Sequence, residues 1–206
     1  MTLTADRPTS ADPAATDFVA ARRAMIDSQL RVSGVNEEWV LSAMGKAPRE
    51  DFVPAAARGH AYIDRAIPLD DGHALPAPLV HGRMLGEAAP TAQDTVLIVS
   101  CGSDYLAALV RPLAGAVTVV SAADAAAGQV RGDYSLLLVD GAVEQLPAAL
   151  TDCLVDAGRV VTGLVERGVT RLAAGRKLSG SVALLPLAEI GIPVLAEFAA
   201  PKRWSF

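Results

Sequence analysis

Thr95-Val-Leu-Ile-Val-Ser100, followed by Cys101-Gly102-Ser103-Asp104-Tyr105, is the stretch that decides the fold. Its first six residues carry no charge and read as a strand buried on both faces, the pattern of a parallel sheet covered by helices. A glycine-bearing turn and a helical stretch through Leu113 follow, as in the first half of a βαβ unit. Val117–Ser121 reads as a second strand, Tyr134–Asp140 as a third and Arg159–Val165 as a fourth, with a helix over 146–156 before the last. Strands alternating with helical segments predict a parallel α/β sheet. The end of the chain differs: 168–178, 181–188 and 192–199 are divided by turn signals and read as antiparallel strands. Only 12 residues, Ala122 to Asp133, link the second strand to the third. A parallel crossover needs about a dozen residues, so this link holds one short helix and no further strand.

Upstream, residues 1–16 offer almost nothing to bury and read as a disordered tail. Asp17 is placed to cap a helix carrying Phe18, Met25, Ile26 and Leu30, which Gly34 stops. Asn36 is expected to cap a second helix, with Trp39, Val40, Ala43 and Met44 on its buried face. Prolines at 48, 54, 68, 76 and 78 exclude long helices between them. Residues 79–88 form a third helix. The expected organisation is a tail over 1–16, a helical cap with a loop region over 17–93, and an α/β domain over 94–206.

Composition bounds the function. The chain has 206 residues, 51% of them apolar, and a mean hydropathy of +0.33, so it can fill a core. Alanine is abundant at 39 residues, whereas aromatics are only 4%. The net charge is −5, which excludes a binder of nucleic acid that relies on phosphate contacts. No run of about 18 apolar residues occurs, so no membrane span is expected. Two cysteines without CxxC spacing, and no export signal at the start of the sequence, suit a reducing cytoplasm.

A resemblance enters through the order of several motifs. Met25-Ile-Asp-Ser-Gln-Leu30, Gly34-Val35, Val40-Leu41-x-Ala43, Pro48-Arg-Glu-Asp-Phe-Val-Pro54, Ala61-Tyr-Ile-Asp64 and Pro68-Leu69 occur in succession. Together they resemble the N-terminal half of the protein-L-isoaspartate O-methyltransferase family, and Leu97–Tyr105 aligns with that family's cofactor loop. The similarity spans most of residues 20–206 and is most specific through Tyr105. It implies a class I methyltransferase-like, Rossmann-like mixed sheet with antiparallel C-terminal strands and a helical N-terminal cap, here one βα unit short. It also implies S-adenosylmethionine as cofactor and the α-carboxylate of isoaspartyl residues in damaged proteins as substrate. A carboxylate is already a nucleophile and a sulfonium already activated, so no general base is needed and no catalytic residue is singled out. Positioning and electrostatics would carry the reaction.

Carried over position by position, the resemblance makes Ser100, Gly102, Ser103, Asp104, Tyr105, Ser121 and Asp140 the candidates for cofactor contact. His73, Leu75, Pro76 and Pro78 fall in the family's substrate loop. The chemistry at these positions departs from the family pattern. Its acidic residue in the first strand is Ile98, its first loop glycine is Ser100, and its third is Asp104. A Cβ at Ser100 intrudes where backbone should touch ligand. Asp104 sets a carboxylate where the cofactor's own would lie. Ser121 replaces the carboxylate expected to hold both ribose hydroxyls, with Asp124 one turn later, and the segment that walls the adenine is missing. On the substrate side Pro76 stands where a serine is expected and has neither hydroxyl nor N–H.

The departures predict a noncatalytic, protein- or peptide-binding member with a degenerate S-adenosylmethionine site. The alternative is an active methyltransferase of isoaspartyl carboxylates with a remodelled pocket. A metal at Asp70, Asp71, His73 and His81 is disfavoured, because Pro76 and Pro78 interrupt any shared helical face. Cys101 reads as a buried thiol and Asp104 as a helix cap. Asp140-Gly141 either faces a ligand or turns the chain. Trp204 and Phe206 form either a docking tail or a buried end. Losing one edge unit exposes Val117–Ser121, and the expectation is a homodimer through that edge or a cover from 122–133.

Overall fold

The computed structural model describes residues 17–200. The expected tail at 1–16 and the closing 201–206, with Trp204 and Phe206, lie outside the described residues. Asp17 caps α1 (Phe18–Met25), accepting the Ala20 amide at 3.0 Å. The helix continues through a wider turn at Ile26–Leu30 and a tight one at Arg31–Ser33. It stops at Gly34, whose φ of +82° suits a residue without a side chain. In α2 (Glu38–Lys46) the cap position belongs to Glu37 and not to Asn36, because the Asn36 amide is bonded to the Glu37 carboxylate at 3.1 Å. The buried face is Val40, Leu41 and Met44. Trp39 lies outside it and is 37% exposed, since Leu41 takes the inward position.

The proline-rich stretch folds as two short turns, Arg49–Phe52 and Ala55–His60, and a hairpin of β1 (Ile67–Pro68) and β2 (Ala74–Leu75). Arg22 on α1 donates to the Tyr62 hydroxyl and to Glu50, and the Tyr62 hydroxyl donates in turn to Glu50. Burial, with Glu50 beside it, pushes Tyr62 up to about 12. This cluster ties α1 to the turns. α3 (Pro78–Ala88) begins on a proline, where a missing N–H costs nothing, and Asp64 accepts the Leu79 amide.

The sheet is built from β3 (Thr95–Ser100), β4 (Ala116–Ser121), β5 (Tyr134–Val143), β6 (Leu154–Glu166), β7 (Val169–Leu178) and β8 (Ser181–Glu189). Between them run α4 (Tyr105–Val110), α5 (Ala122–Ala126) and α6 (Ala148–Asp152). The order is β4-β3-β5-β6-β7-β8. The first four strands are parallel and the last two antiparallel. Only α5 lies between β4 and β5, so β4 forms an edge of the sheet. Val96–Val99 and Leu136–Val139 are buried at the centre, each side chain contributing about 1.5–3 kcal/mol.

Two expectations fail here. The helix expected over 146–156 spans only Ala148–Asp152. Tyr134 pairs with Leu154, which draws the chain into β6 at once. The strand expected over 192–199 is a single bridge, Val194 to Ala142, followed by a tight turn at Ala196–Phe198. Pro193 lacks an N–H, and its carbonyl accepts the Ala142 amide at 2.7 Å. The turn carries Glu197 back over the carboxyl ends of the strands.

Candidate functional site

A cavity of about 390 Å³ opens beyond the carboxyl ends of β3 and β4, where open α/β sheets bind ligands. Ser100, Gly102 and Asp104 line it from the β3 side, and Val119–Ala123 from β4 and α5. Asp71 and His73 close it from the loop between β1 and β2, and Glu197 from the tight turn. The structure brings the cofactor candidates Ser100, Gly102, Asp104 and Ser121 around one cavity with His73 of the substrate loop.

The remaining candidates lie elsewhere. Ser103 is buried, donating its hydroxyl to the Phe52 carbonyl and accepting the Tyr105 amide at 3.4 Å. It serves the start of α4, where the Asp104 side chain makes no cap bond. Tyr105 and Leu75 are fully buried, and Pro76 and Pro78 are buried as well. Asp140 is fully buried. It does not turn the chain, because β5 runs on to Val143, and its carboxylate is engaged by His81 and Cys101.

Asp140 belongs instead to a buried network. The Arg49 guanidinium donates to the Ala61 carbonyl at 2.8 Å and the Pro76 carbonyl at 2.6 Å. It also approaches His81 Nδ1 at 3.2 Å. Arginine can only donate, so Nδ1 accepts, and Nε2–H is left to donate to Asp140 Oδ1 at 2.9 Å. The Cys101 thiol donates to Asp140 Oδ2 at 3.2 Å. A neutral imidazole thereby bridges a buried cation and a buried anion. The Tyr105 ring lies under Arg49, 4.8 Å from guanidinium to centroid. Burial pushes the Arg49 pKa down, opposed by Tyr105 and Asp140. Burial, then Asp140, pushes the Cys101 thiol far above its usual range, so it is no nucleophile. Arg49 sits in the matched Pro48–Pro54 motif, which marked it as important but named no partner. The pairing of His81 with Asp140, 59 residues away, has no local signature.

His73 joins the cavity's two sides. Its Nε2 is 2.8 Å from Glu197 Oε1, and its Nδ1 is 2.9 Å from Asp71 Oδ2. Asp71 foremost, and Glu197 after it, raise the His73 pKa against a smaller cost of partial burial. Glu197 had no signal in the sequence, since only the tight turn brings it here.

Several groups that the resemblance assigns to S-adenosylmethionine make contacts within the chain instead. Gly102, at φ +92°, should offer a bare backbone face, but Asp71 Oδ2 lies so close that it would collide with a Cβ there. The Gly102 amide donates to Ser100 Oγ at 3.0 Å, and that hydroxyl donates to the Ser103 carbonyl at 2.9 Å. This amide is therefore not free for a ligand carboxylate. Ser121 caps α5 by accepting the Asp124 amide and donates its proton to the Asp124 carboxylate. Among the described residues, Asp71, Asp104 and Glu197 give the cavity three carboxylates against one histidine. A bound carboxylate would be repelled there, whereas an ammonium or sulfonium would be attracted.

Known proteins resemble the chain in sequence and in fold. The sequence model described as Protein-L-isoaspartate(D-aspartate) O-methyltransferase (PCMT) matches residues 20–127. Protein-L-isoaspartate O-methyltransferase 2 of Anaeromyxobacter sp. is 36% identical over 165 residues, covering 68% of each chain. Protein-L-isoaspartate O-methyltransferase of Koribacter versatilis is 34% identical over 196 residues, covering 83% of this chain and 88% of that one. A crystal structure from Plasmodium falciparum, described as this methyltransferase in complex with S-adenosyl-L-homocysteine, superposes with a TM-score of 0.69 at 15% identity. It covers 85% of this chain and 98% of that one. A second solved protein-L-isoaspartate O-methyltransferase gives 0.66 at 16% identity, covering 86% and 67%. The mixed sheet is that of a class I methyltransferase-like α/β fold.

Proposed function

This chain belongs to the protein-L-isoaspartate(D-aspartate) O-methyltransferase family, and we propose that it binds protein or peptide without holding S-adenosylmethionine as that family does. The contact of Asp71 with the open face of Gly102 carries this reading. The internal bonds of Ser100 and Ser121 support it, because they occupy polar groups that a cofactor would need. The partner is a polypeptide, as the family's own substrates are, and isoaspartyl-containing chains are the first to test. Two free, buried cysteines, Cys101 and Cys153, suit a cytoplasmic setting.

The second reading is an active S-adenosylmethionine-dependent methyltransferase of isoaspartyl carboxylates. The names of the relatives favour it over the first, and so does the survival of a 390 Å³ cavity at the strand ends. In this reading Asp71 and Asp104 would meet the cofactor's ammonium and sulfonium, and Ser121 with Asp124 would take its ribose.

Incubating the full chain with labelled S-adenosylmethionine and an isoaspartyl peptide separates the two. The proposal expects no methyl ester, and expects a labelled isoaspartyl peptide to bind equally with and without cofactor. Ester formation above the protein-free control would replace the first reading by the second.

A further inference from the structure

Among the described residues, β4 has a strand partner along one side only. It pairs in parallel with β3 from Ala116↔Thr95 to Ser121↔Ser100, and no other strand among the described residues joins it. Backbone N–H and C=O groups along about 20 Å of strand therefore lack a strand partner. Soluble proteins blunt such edges with proline, charge or a bulge. Ala116-Val-Thr-Val-Val-Ser121 has no proline or charge, and its register with β3 is unbroken. The opposite edge, β8, has Pro186 near its middle, Glu189 at its end and a register shift against β7. Only one of the two edges is left open to pairing.

Opposite charges flank β4 along the chain. Asp124, exposed on α5, lies at the carboxyl end. Arg111, exposed, lies on the turn that returns α4 to the amino end. The Gly115 amide, bonded to the Asp94 carbonyl at 3.0 Å, holds that turn beside the start of β3. A parallel pair of such edges would set like charge on like. An antiparallel pair sets Arg111 of each chain toward Asp124 of the other. The exposed residues of α5 beside the edge include Ala123 and Ala126, small enough for close approach.

We propose that a second copy of this chain pairs along β4, antiparallel about a two-fold axis centred near Thr118 and Val119. Val119–Ala123 form the cavity wall nearest this edge. The amino end of the second copy's β4 then stands beside the carboxyl end of the first and closes the cavity's outer side. The contact is isologous and joins the two sheets into one.

Sedimentation velocity of the full chain over a concentration series tests this. The expected species has twice the 21.3 kDa chain mass. Arg111→Glu and Asp124→Arg should each weaken association tenfold or more, and the double variant should restore it. Thr118→Lys should also dissociate the pair, by bringing two lysines together near the axis. Restoration in the double variant excludes misfolding as the cause of the single losses. A monomer throughout the series overturns the proposal. So does a dimer whose affinity the single charge changes leave unaltered.

Discussion

Asp71 and Gly102 are in direct contact: the aspartate carboxylate covers the face that this glycine, at φ +92°, turns toward the cavity. A residue between the two strands of a small hairpin thus reaches the loop after β3. Gly102→Ala must accept both a left-handed backbone and a collision with that carboxylate. The expected loss of stability is about 1–3 kcal/mol, measured by urea unfolding. Asp71→Ala in the same chain should recover the collision part and leave the backbone part.

The buried network makes a second prediction. Asp140→Ala leaves the Arg49 charge without its anion and removes the acceptor of His81 Nε2–H and Cys101 S–H. Stability should fall by about 3–5 kcal/mol, again by urea unfolding. A loss under 1 kcal/mol would show that the network carries little.

His73 predicts a pH dependence. Its pKa is raised by Asp71 and then Glu197, so its contribution is complete below its unfolded value, about 6.5. That contribution is lost as pH rises through the higher folded value. Amide exchange at 195–199 should quicken over that rise, beyond the intrinsic effect of pH. His73→Gln should abolish the extra quickening.

Asp94 acts at the other end of the scale and with the opposite sign. Its burial would raise the pKa, but hydrogen bonds from Ser135, Arg159 and Thr91 hold it at about 2. Its stabilisation is therefore complete above its unfolded value, about 3.9, and is lost as pH falls toward 2. Asp94→Asn should flatten the acid limb of stability against pH between those values.

Much of this architecture can be read locally. The uncharged run Thr95–Ser100 is β3 to the residue, because burial of Val96–Val99 on both faces suits a central strand. Gly34 ends its helical segment where expected, since few residues besides glycine reach φ +82° cheaply. Distant partners decide the rest. Asp140-Gly141 has the composition of a turn but continues a strand. There the aspartate accepts hydrogen bonds from His81 and Cys101, and Leu195 packs against the bare glycine. Pro193 and Tyr134 reset their neighbours through bonds to Ala142 and Cys153. Ser100, Asp104 and Ser121 were legible as departures from a pattern. That Asp71 would fill the space between them was not, because nothing in the sequence aims a hairpin residue at Gly102.

The proposal of a family member that does not hold the family's cofactor stands or falls on binding. Calorimetric titration of the full chain with S-adenosylmethionine, and separately with S-adenosylhomocysteine, tests it most directly. No binding heat at millimolar ligand is the predicted result. Saturable binding of either with a micromolar Kd would contradict the account and leave the catalytic reading in its place.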